Sequence, residues 1–359
     1  MSSCLDSKVE VALYGAGCAS LSLAARAGEL GTHKITVIAP PGYGVGDHVW
    51  GFWDMPWLAQ VADKKQKTWQ KWRIITEDRI IEHRSTRHPY AAISRHRWIE
   101  ACTLQAKHAG VKFIKSLPAR DNLQILDSRP PAPPSGCMIQ HFRGYEIVLK
   151  DARFDASTAI LMDFRCDQSR GIHFIYCLPF SPTRALVEST LFSTEIESPD
   201  YYDKSIRTYL ADVIGVSEFT IDRQESGAIP MALLGRFNPL YQGIGSNGGA
   251  IRPSSGYAFS FIQKQVGQIL RDARAGQHLV VKSPHSRFTL LMDQIFLRVL
   301  HRYPMLAPRI FVNMASVLTG DEFARFLSSE GTISTWMKVI FAMPKLPFIR
   351  VLFPTFERG

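Results

Sequence analysis

Val9-Glu-Val-Ala-Leu-Tyr14-Gly15-Ala16-Gly17-Cys-Ala-Ser20 is the stretch that decides the fold. Its first six residues are apolar apart from Glu10, the pattern of a short buried strand. Two glycines follow with one residue between them. Residues 21–30 then read as a helix in which Ala24, Ala25 and Ala27 permit close packing, and Gly31 ends it. Residues 34–38 form a second strand. Strand, glycine turn, helix and strand in this order make a β-α-β unit, the start of a dinucleotide-binding domain. Gly15 permits the tight turn, and Gly17 lets the backbone approach a pyrophosphate seated on N–H groups at a helix N-terminus. Ser20 stands where a third glycine is usual and is small enough to serve. Ala39 ends the second strand, where an acidic residue would hold the ribose hydroxyls.

The 359 residues suffice for about two domains or lobes. A hydrophobic content of 46% with 21% charged residues is that of a chain that buries a real core. The 42 Lys and Arg outnumber the 32 Asp and Glu, leaving a net charge of +10. That excess suits an anionic cofactor or an anionic membrane surface. The cations are spread out, with no dense cluster and no zinc-finger spacing, so nucleic acid is not expected as a partner. Cys4, Cys18, Cys102, Cys137, Cys166 and Cys177 show no CxxC and no metal-like spacing. They read as free thiols in a reducing compartment, and no metal is expected. The first residues carry no long apolar run, so no signal peptide is expected. No uncharged apolar stretch of about 18 residues occurs, so no spanning helix is expected either.

Beyond the first unit, Gly42-Tyr-Gly-Val-Gly46 is a glycine loop, followed by Asp47-His48-Val-Trp50-Gly-Phe52-Trp53. These aromatics either fill the core or form a wall for a flat or apolar ligand. A helix is read over 98–108 and strands over 111–115 and 123–126, the last ending in Asp127-Ser-Arg129. Pro130-Pro-Ala-Pro-Pro134 is the clearest composition break. Strands over 137–142, 145–149, 158–165, 172–179 and 186–192 then predict an antiparallel sheet, and a helix follows over 200–214. Ile244-Gly245-Ser-Asn-Gly248-Gly249 is a second glycine turn, and Arg252-Pro-Ser-Ser-Gly256-Tyr257 opens a helix over 258–275. Such a turn is either plain or a seat for an anionic or ring-edge ligand. From residue 292 the chain is helical. Residues 336–353 are apolar with sparse Lys and Arg, and read either as a core helix with a tail or as an interfacial membrane segment.

Leu178-Pro-Phe-Ser-Pro-Thr-Arg-Ala-Leu-Val-Glu188-Ser-Thr190 is a strand, a proline turn and a second strand. Glu188 follows an apolar run, Ala185, Leu186 and Val187. It is either a strand-edge side chain turned to water or a buried carboxyl whose pKa burial raises, as a proton donor near neutral pH requires.

These segments, in this order, resemble the lycopene β-cyclase family of carotenoid biosynthesis. The resemblance spans nearly the whole chain. It is carried most specifically by the Pro-Thr-Arg-x-Leu-x-Glu-x-Thr segment ending at Thr190 and by Arg252-Pro-Ser-Ser-Gly-Tyr257, and also by Asp47-His-Val-Trp-Gly-Phe-Trp53, Asp127-Ser-Arg-Pro130 and Gly227-Ala-Ile-Pro230. It implies an α/β flavoprotein. A Rossmann-like FAD-binding domain over 1–134 and 243–280 would carry an inserted antiparallel β-sheet substrate domain over 135–242. A helical C-terminal region over 281–359 would touch the membrane. It also implies ring closure at the linear ends of lycopene to β-ionone rings without net redox change, with reduced FAD required and NAD(P)H as electron source. The essential acid of the family falls on Glu188. FAD contacts fall on Gly15, Ala16, Gly17, Ser20, Asp127, Gly245, Gly248 and Gly249, and substrate contacts on Trp50, Phe52, Trp53 and Tyr257. Ala39 departs from the family pattern. The alternatives are a redox flavoprotein of the same fold, such as a prenyl reductase or monooxygenase, and a non-catalytic carotenoid-binding relative.

The chemistry of such a ring closure stands apart from the name. Protonation of an alkene gives a tertiary carbocation, the neighbouring double bond attacks it, and a proton is lost. The step needs a dry acid and a surface that stabilises cations, to which each aromatic face adds about 0.5–2 kcal/mol. Glu188 is therefore expected as the acid, or as electrostatic partner of a flavin that delivers the proton. A hydrocarbon substrate dissolved in a bilayer predicts a cytoplasmic protein held peripherally at the inner face of the membrane.

Overall fold

The computed structural model describes residues 9–40, 46–118 and 122–353. Cys4 and most of the glycine loop preceding Gly46 lie outside the described residues.

The opening β-α-β unit forms, but its α-helix starts earlier than residue 21 and ends at Ala24, with a separate 3-10 turn over Ala27–Leu30. Strand β1 (Val9–Tyr14) leads through Gly15, at φ +99°, into helix α1 (Cys18–Ala24), and β2 (His33–Ile38) returns parallel to β1. β3 (Val49–Trp53), β4 (Lys67–Trp69), β5 (Lys71–Ile75), β6 (Ile80–Arg84) and β7 (Tyr90–Ser94) come next. Ser94 accepts from the Arg97 N–H and so caps α2 (Arg95–His108). β8 (Lys112–Ile114) and β9 (Gln124–Asp127) complete the first half.

The second half contains the long strands β10 (Met138–Val148), β11 (Thr158–Asp163), β12 (Ile172–Ser181) and β13 (Arg184–Ser193). Helix α3 (Pro199–Tyr209), the longest strand β14 (Thr220–Met231), short β15 (Gln242–Gly243) and helix α4 (Phe259–Asp272) follow. The chain closes with α5 (Arg287–Arg302), α6 (Ala307–Ser316), α7 (Gly320–Leu327), α8 (Ile333–Ala342) and α9 (Lys345–Leu352).

Three sheets result. The parallel sheet runs β15-β9-β1-β2-β8, the large sheet β14-β10-β13-β12-β11-β5-β6, and β3-β7-β4 forms a third. The strands expected over 135–242 pair antiparallel with one another. One sequence expectation is corrected. A division at residue 134 places residues 71–84 in the first lobe, yet β5 and β6 hydrogen-bond into the large sheet, where β11 pairs parallel with β5 and makes the sheet mixed. That pairing joins strands far apart in sequence, which hydrophobic periodicity does not report.

The large sheet is covered on both faces. α3 packs Tyr202, Ile206 and Tyr209 against one face, beside Val187, Ile175 and Ile147. On the other face stand Phe142, Phe174, Glu188 and Phe192. β13, with strands on both sides, is therefore buried over eight of its ten residues.

Candidate functional site

An apolar cavity of about 710 Å³ lies between the large sheet, β3, the 252–259 segment and the C-terminal helices. Its walls include Trp50, Trp53, Tyr90, Tyr176, Glu188 and Tyr257. One row across the sheet organises its floor. Gly144 on β10 is paired with Glu188 on β13 and with Glu225 on β14, and Glu188 is paired with Tyr176 on β12. Directly opposed residues share a face of a sheet, so these four stand side by side.

Glu188 is 7% exposed. Its carboxyl accepts a hydrogen bond from the Thr190 Oγ1 hydroxyl at 2.6 Å. Burial first, and then the charge of Glu225, push it up to about 8. The alternative of a water-facing strand glutamate is thereby excluded. β13 is central, and the alternation of faces turns Glu188 into the cavity instead of out of the molecule. Glu225 is also raised by burial, but the Arg223 guanidinium, at 2.8 Å, and the Val49 N–H, at 3.2 Å, oppose that rise.

Three tyrosines face the acid. The hydroxyls of Tyr90 and Tyr176 are 2.9 Å apart, and those of Tyr90 and Tyr257 are 3.3 Å apart. Burial holds all three well above the usual phenol value, so they stay neutral. Gly51 makes the cluster possible. A Cβ there would lie 2.2 Å from the Tyr90 hydroxyl oxygen and 2.4 Å from that of Tyr176. The Trp53 ring packs edge-on to Tyr90 and Tyr257, at 4.9 and 5.4 Å between centroids. Trp50 stacks on Phe259 at 5.0 Å. His48, pushed down to about 4 chiefly by burial and next by Arg95, is uncharged.

Of the aromatics singled out in the sequence, Trp50, Trp53 and Tyr257 line the cavity. Phe52 does not: it is buried behind the wall against Phe259. Phe52 packs beside Trp50 on the same Phe259 ring and is 1% exposed, while Gly51 and Trp53 face the tyrosines. Tyr90, Tyr176, Glu225 and Arg223 were missed. They sit on β7, β12 and β14, and no local spacing ties them to Glu188.

The second group of expected residues lies at the ends of the parallel strands. Gly17 is the N-cap of α1, with no side-chain cap and no acidic residue in the first turn, leaving the first N–H groups open to an anion. Gly245, at φ +67°, abuts this helix so closely that a Cβ would stand 2.5 Å from the Ala19 Cβ. Gly248 continues the same turn, which ends at Gly249. The second glycine turn thus lies against the first turn of α1, with only the Ala19 methyl at the contact, a cradle that fits a dinucleotide phosphate. Ser20 is fully buried, and its hydroxyl has no protein partner among the described residues. Asp127 gives both carboxylate oxygens to Arg129, at 2.9 and 2.8 Å, and its backbone carbonyl accepts from Ile244 N and Asn247 Nδ2. The Arg129 guanidinium is sandwiched between Tyr14 and Phe237. Ala39 offers no carboxylate, and its N–H joins the ladder at Ile114 O.

The cradle and the cavity belong to one connected segment. Gly245 begins it and Tyr257 ends it. Between them, buried Arg252 forms an ion pair with Asp293 at 3.2 Å and donates to Phe326 O at 2.7 Å. That brace ties the segment to α5 and α7.

Comparison with known proteins decides the family. The model described as lycopene cyclase protein matches residues 10–121 and 116–353. The chain belongs to the lycopene cyclase family. A lycopene beta-cyclase of Pantoea ananas is 26% identical over 277 residues, covering 72% of this chain and 70% of that protein. A lycopene beta-cyclase of a Paracoccus species is 26% identical over 248 residues, covering 62% and 61%. Among solved structures, a geranylgeranyl bacteriochlorophyll reductase-like protein of Thermoplasma acidophilum has a TM-score of 0.60 at 11% identity, with 96% of this chain and 98% of that one covered. A flavin-dependent brominase has a TM-score of 0.55 at 14% identity, covering 97% and 99%. At these identities the structural likeness shows the fold: the α/β architecture of this cyclase family is shared with flavin-dependent enzymes.

Proposed function

We propose that this lycopene cyclase family member is a lycopene β-cyclase that closes the linear ends of lycopene to β-ionone rings, giving γ-carotene and then β-carotene, with Glu188 as the acid. The observation that carries this reading is a buried carboxyl, bonded only to the Thr190 hydroxyl among the described residues, at the floor of an apolar aromatic cavity. The Glu188 O–H bond breaks as a C–H bond forms on the terminal alkene, leaving a tertiary carbocation. The next double bond supplies its electron pair to form the ring C–C bond. The ring C–H bond then breaks, its electron pair restores a double bond and the proton returns to the Glu188 carboxylate, so atoms and electrons balance with no net redox change. Trp50, Trp53 and the tyrosine cluster present π faces and neutral hydroxyls to the cation, and the apolar walls exclude water that would trap it.

The glycine turns at Gly15, Ala16 and Gly17 and at Gly245, Gly248 and Gly249, beside Ser20 and the Asp127–Arg129 turn, would hold FAD, with NAD(P)H as the source of its electrons. When bound, the reduced flavin supplies an anionic ring that favours positive charge in the substrate.

The expected contact with the cytoplasmic face of a membrane is supported by α8 and α9. Ile333 is 85% exposed and Phe341 69%, with Leu346 and the cations Lys345 and Arg350 on the same helices and exposed Phe353 directly after α9. Ile340, Phe348, Ile349 and Leu352 of these helices also line the cavity. No helix among the described residues is long and apolar enough to cross a bilayer. An apolar rim with cations beside it suits uptake of a hydrocarbon from an anionic lipid surface. Vesicle sedimentation tests this: the protein is expected to pellet with anionic vesicles and Phe341→Ser to pellet less, whereas no co-sedimentation contradicts it.

The function itself is tested by pigment analysis of a lycopene-accumulating bacterium expressing the chain. The expected result is conversion of red lycopene to orange-yellow γ- and β-carotene. Unchanged lycopene beside well-folded, flavin-loaded protein contradicts the proposal.

A further inference from the structure

Glu188 does not stand alone in its row. On the far side of Gly144, the Cγ of Glu225 lies 3.3 Å from where a Gly144 Cβ would be, and the Cβ of Glu188 lies at the same distance from that point. The bare strand between them brings two buried carboxyls close in a region from which water is excluded. Their partners differ in kind. Glu225 has a cation, Arg223 Nη1 at 2.8 Å, and accepts from the Val49 N–H at 3.2 Å. Glu188 has the neutral hydroxyl of Thr190. Two carboxyls sharing a buried volume do not both ionise readily, and the charge settles on the one with the better ionic environment.

We propose that Glu225 is a positioning residue for proton donation: ionised behind Gly144, it keeps the proton on Glu188. The inference rests on the reading of Glu188 as the acid. The other groups around Glu188 do not supply that charge. Tyr176 on β12, Tyr90 on β7 and Tyr257 are neutral phenols, and His48 ahead of β3 is an uncharged imidazole. Asp293 on α5 is neutralised by Arg252. Glu146 on β10 is held by Arg184 at 2.6 Å and Arg223 at 3.1 Å. Asp47 lies beyond Arg223, at 3.8 Å from it. Glu225 also fastens the entry to β3 through Val49, so it joins the acid to the aromatic wall that β3 carries.

The test is the pH dependence of kcat/KM for lycopene cyclisation by the flavin-loaded protein on lipid vesicles. Removing the neighbouring charge with Glu225→Gln lets Glu188 lose its proton at lower pH. The alkaline limb is therefore expected to move down by about one pH unit or more, with KM little changed. Glu225→Asp, which keeps the charge but draws it back from Gly144, is expected to give an intermediate limb. An alkaline limb that stays in place in Glu225→Gln overturns the proposal. If Glu225→Gln does not fold, the limb of Glu225→Asp decides: a downward move supports the proposal and an unmoved limb overturns it. Glu188→Gln separates the two readings. If it cyclises lycopene at the normal rate, the acid assignment itself has failed. If it is inactive while the Glu225 variants leave the limb unmoved, only the present inference fails.

Discussion

The phosphate cradle and the acid row are built by opposite means. At the cradle the sequence removes side chains: Gly17 caps α1 without a side-chain bond, and Gly245 and Gly248 let the second turn approach Ala19 and Gly243 more closely than a Cβ would permit. At the acid row a single glycine, Gly144, removes one side chain so that two carboxyl-bearing ones crowd together. The cradle lies at the ends of parallel strands and depends on close backbone approach. The row lies in the middle of a large mixed sheet and depends on burial, which raises a carboxyl pKa instead of neutralising a ligand's charge. The difference teaches where each part is vulnerable. A methyl group damages the cradle, whereas loss of one titratable proton damages the row.

The largest expected effect is at the row. Glu188→Gln keeps the volume and the contact with Thr190 but has no proton to give. Cyclisation is expected to fall by about 10²–10⁴-fold, the contribution of a positioned general acid, with bound flavin unchanged. Pigment turnover and flavin absorbance of the same preparation check both halves. Gly245→Val strikes the cradle. Its first added carbon would lie 2.5 Å from Ala19 Cβ at a positive φ, so α1 or the turn must shift at a cost of about 1–3 kcal/mol. The expected outcome is loss of flavin from the purified protein together with a lower melting temperature, and full flavin occupancy would break the comparison.

The smallest effect concerns stability alone. Glu188 binds its proton more tightly folded than unfolded, because burial, and next the charge of Glu225, raise its pKa from the ordinary 4.5 to about 8. Between those values the native state holds more protons than the unfolded one, so this group lowers stability as pH rises through the window. Below about 4.5 the penalty is absent, and above about 8 it is complete. Glu188→Gln removes it. The variant's melting temperature relative to the parent is therefore expected to improve from pH 5 to pH 8, and a difference that is flat with pH contradicts the burial of a protonated acid.

The strand, glycine turn and helix that open the chain were legible in the sequence because their parts are local. Gly15, Gly17 and the strand before them lie within one short stretch, and the helix that follows fixes their geometry. Glu188 was legible as a candidate because an acid after Ala185, Leu186 and Val187 breaks an apolar pattern. Its partners were not. Glu225 follows the polar Asp222, Arg223 and Gln224, and nothing in that stretch announces a buried carboxylate. It is placed beside Glu188 only when β10 lies between β13 and β14. Tyr90 and Tyr176 are ordinary strand aromatics until Gly51 lets their hydroxyls meet. Phe52, expected at the ligand wall with its neighbours, is packed behind that wall against Phe259, a burial that the local pattern does not report. The merging of β5 and β6 into the large sheet likewise depends on one long-range parallel pairing.

The protonation state of Glu188 tests the account most directly. Infrared difference spectra of the flavin-loaded protein, wild type against Glu188→Gln, report the carbonyl stretch of a protonated carboxylic acid. The account predicts such a band at neutral pH in the wild type that is absent from the variant and fades as the solution is made alkaline. A wild-type spectrum at neutral pH showing only ionised carboxylate at this position would contradict it.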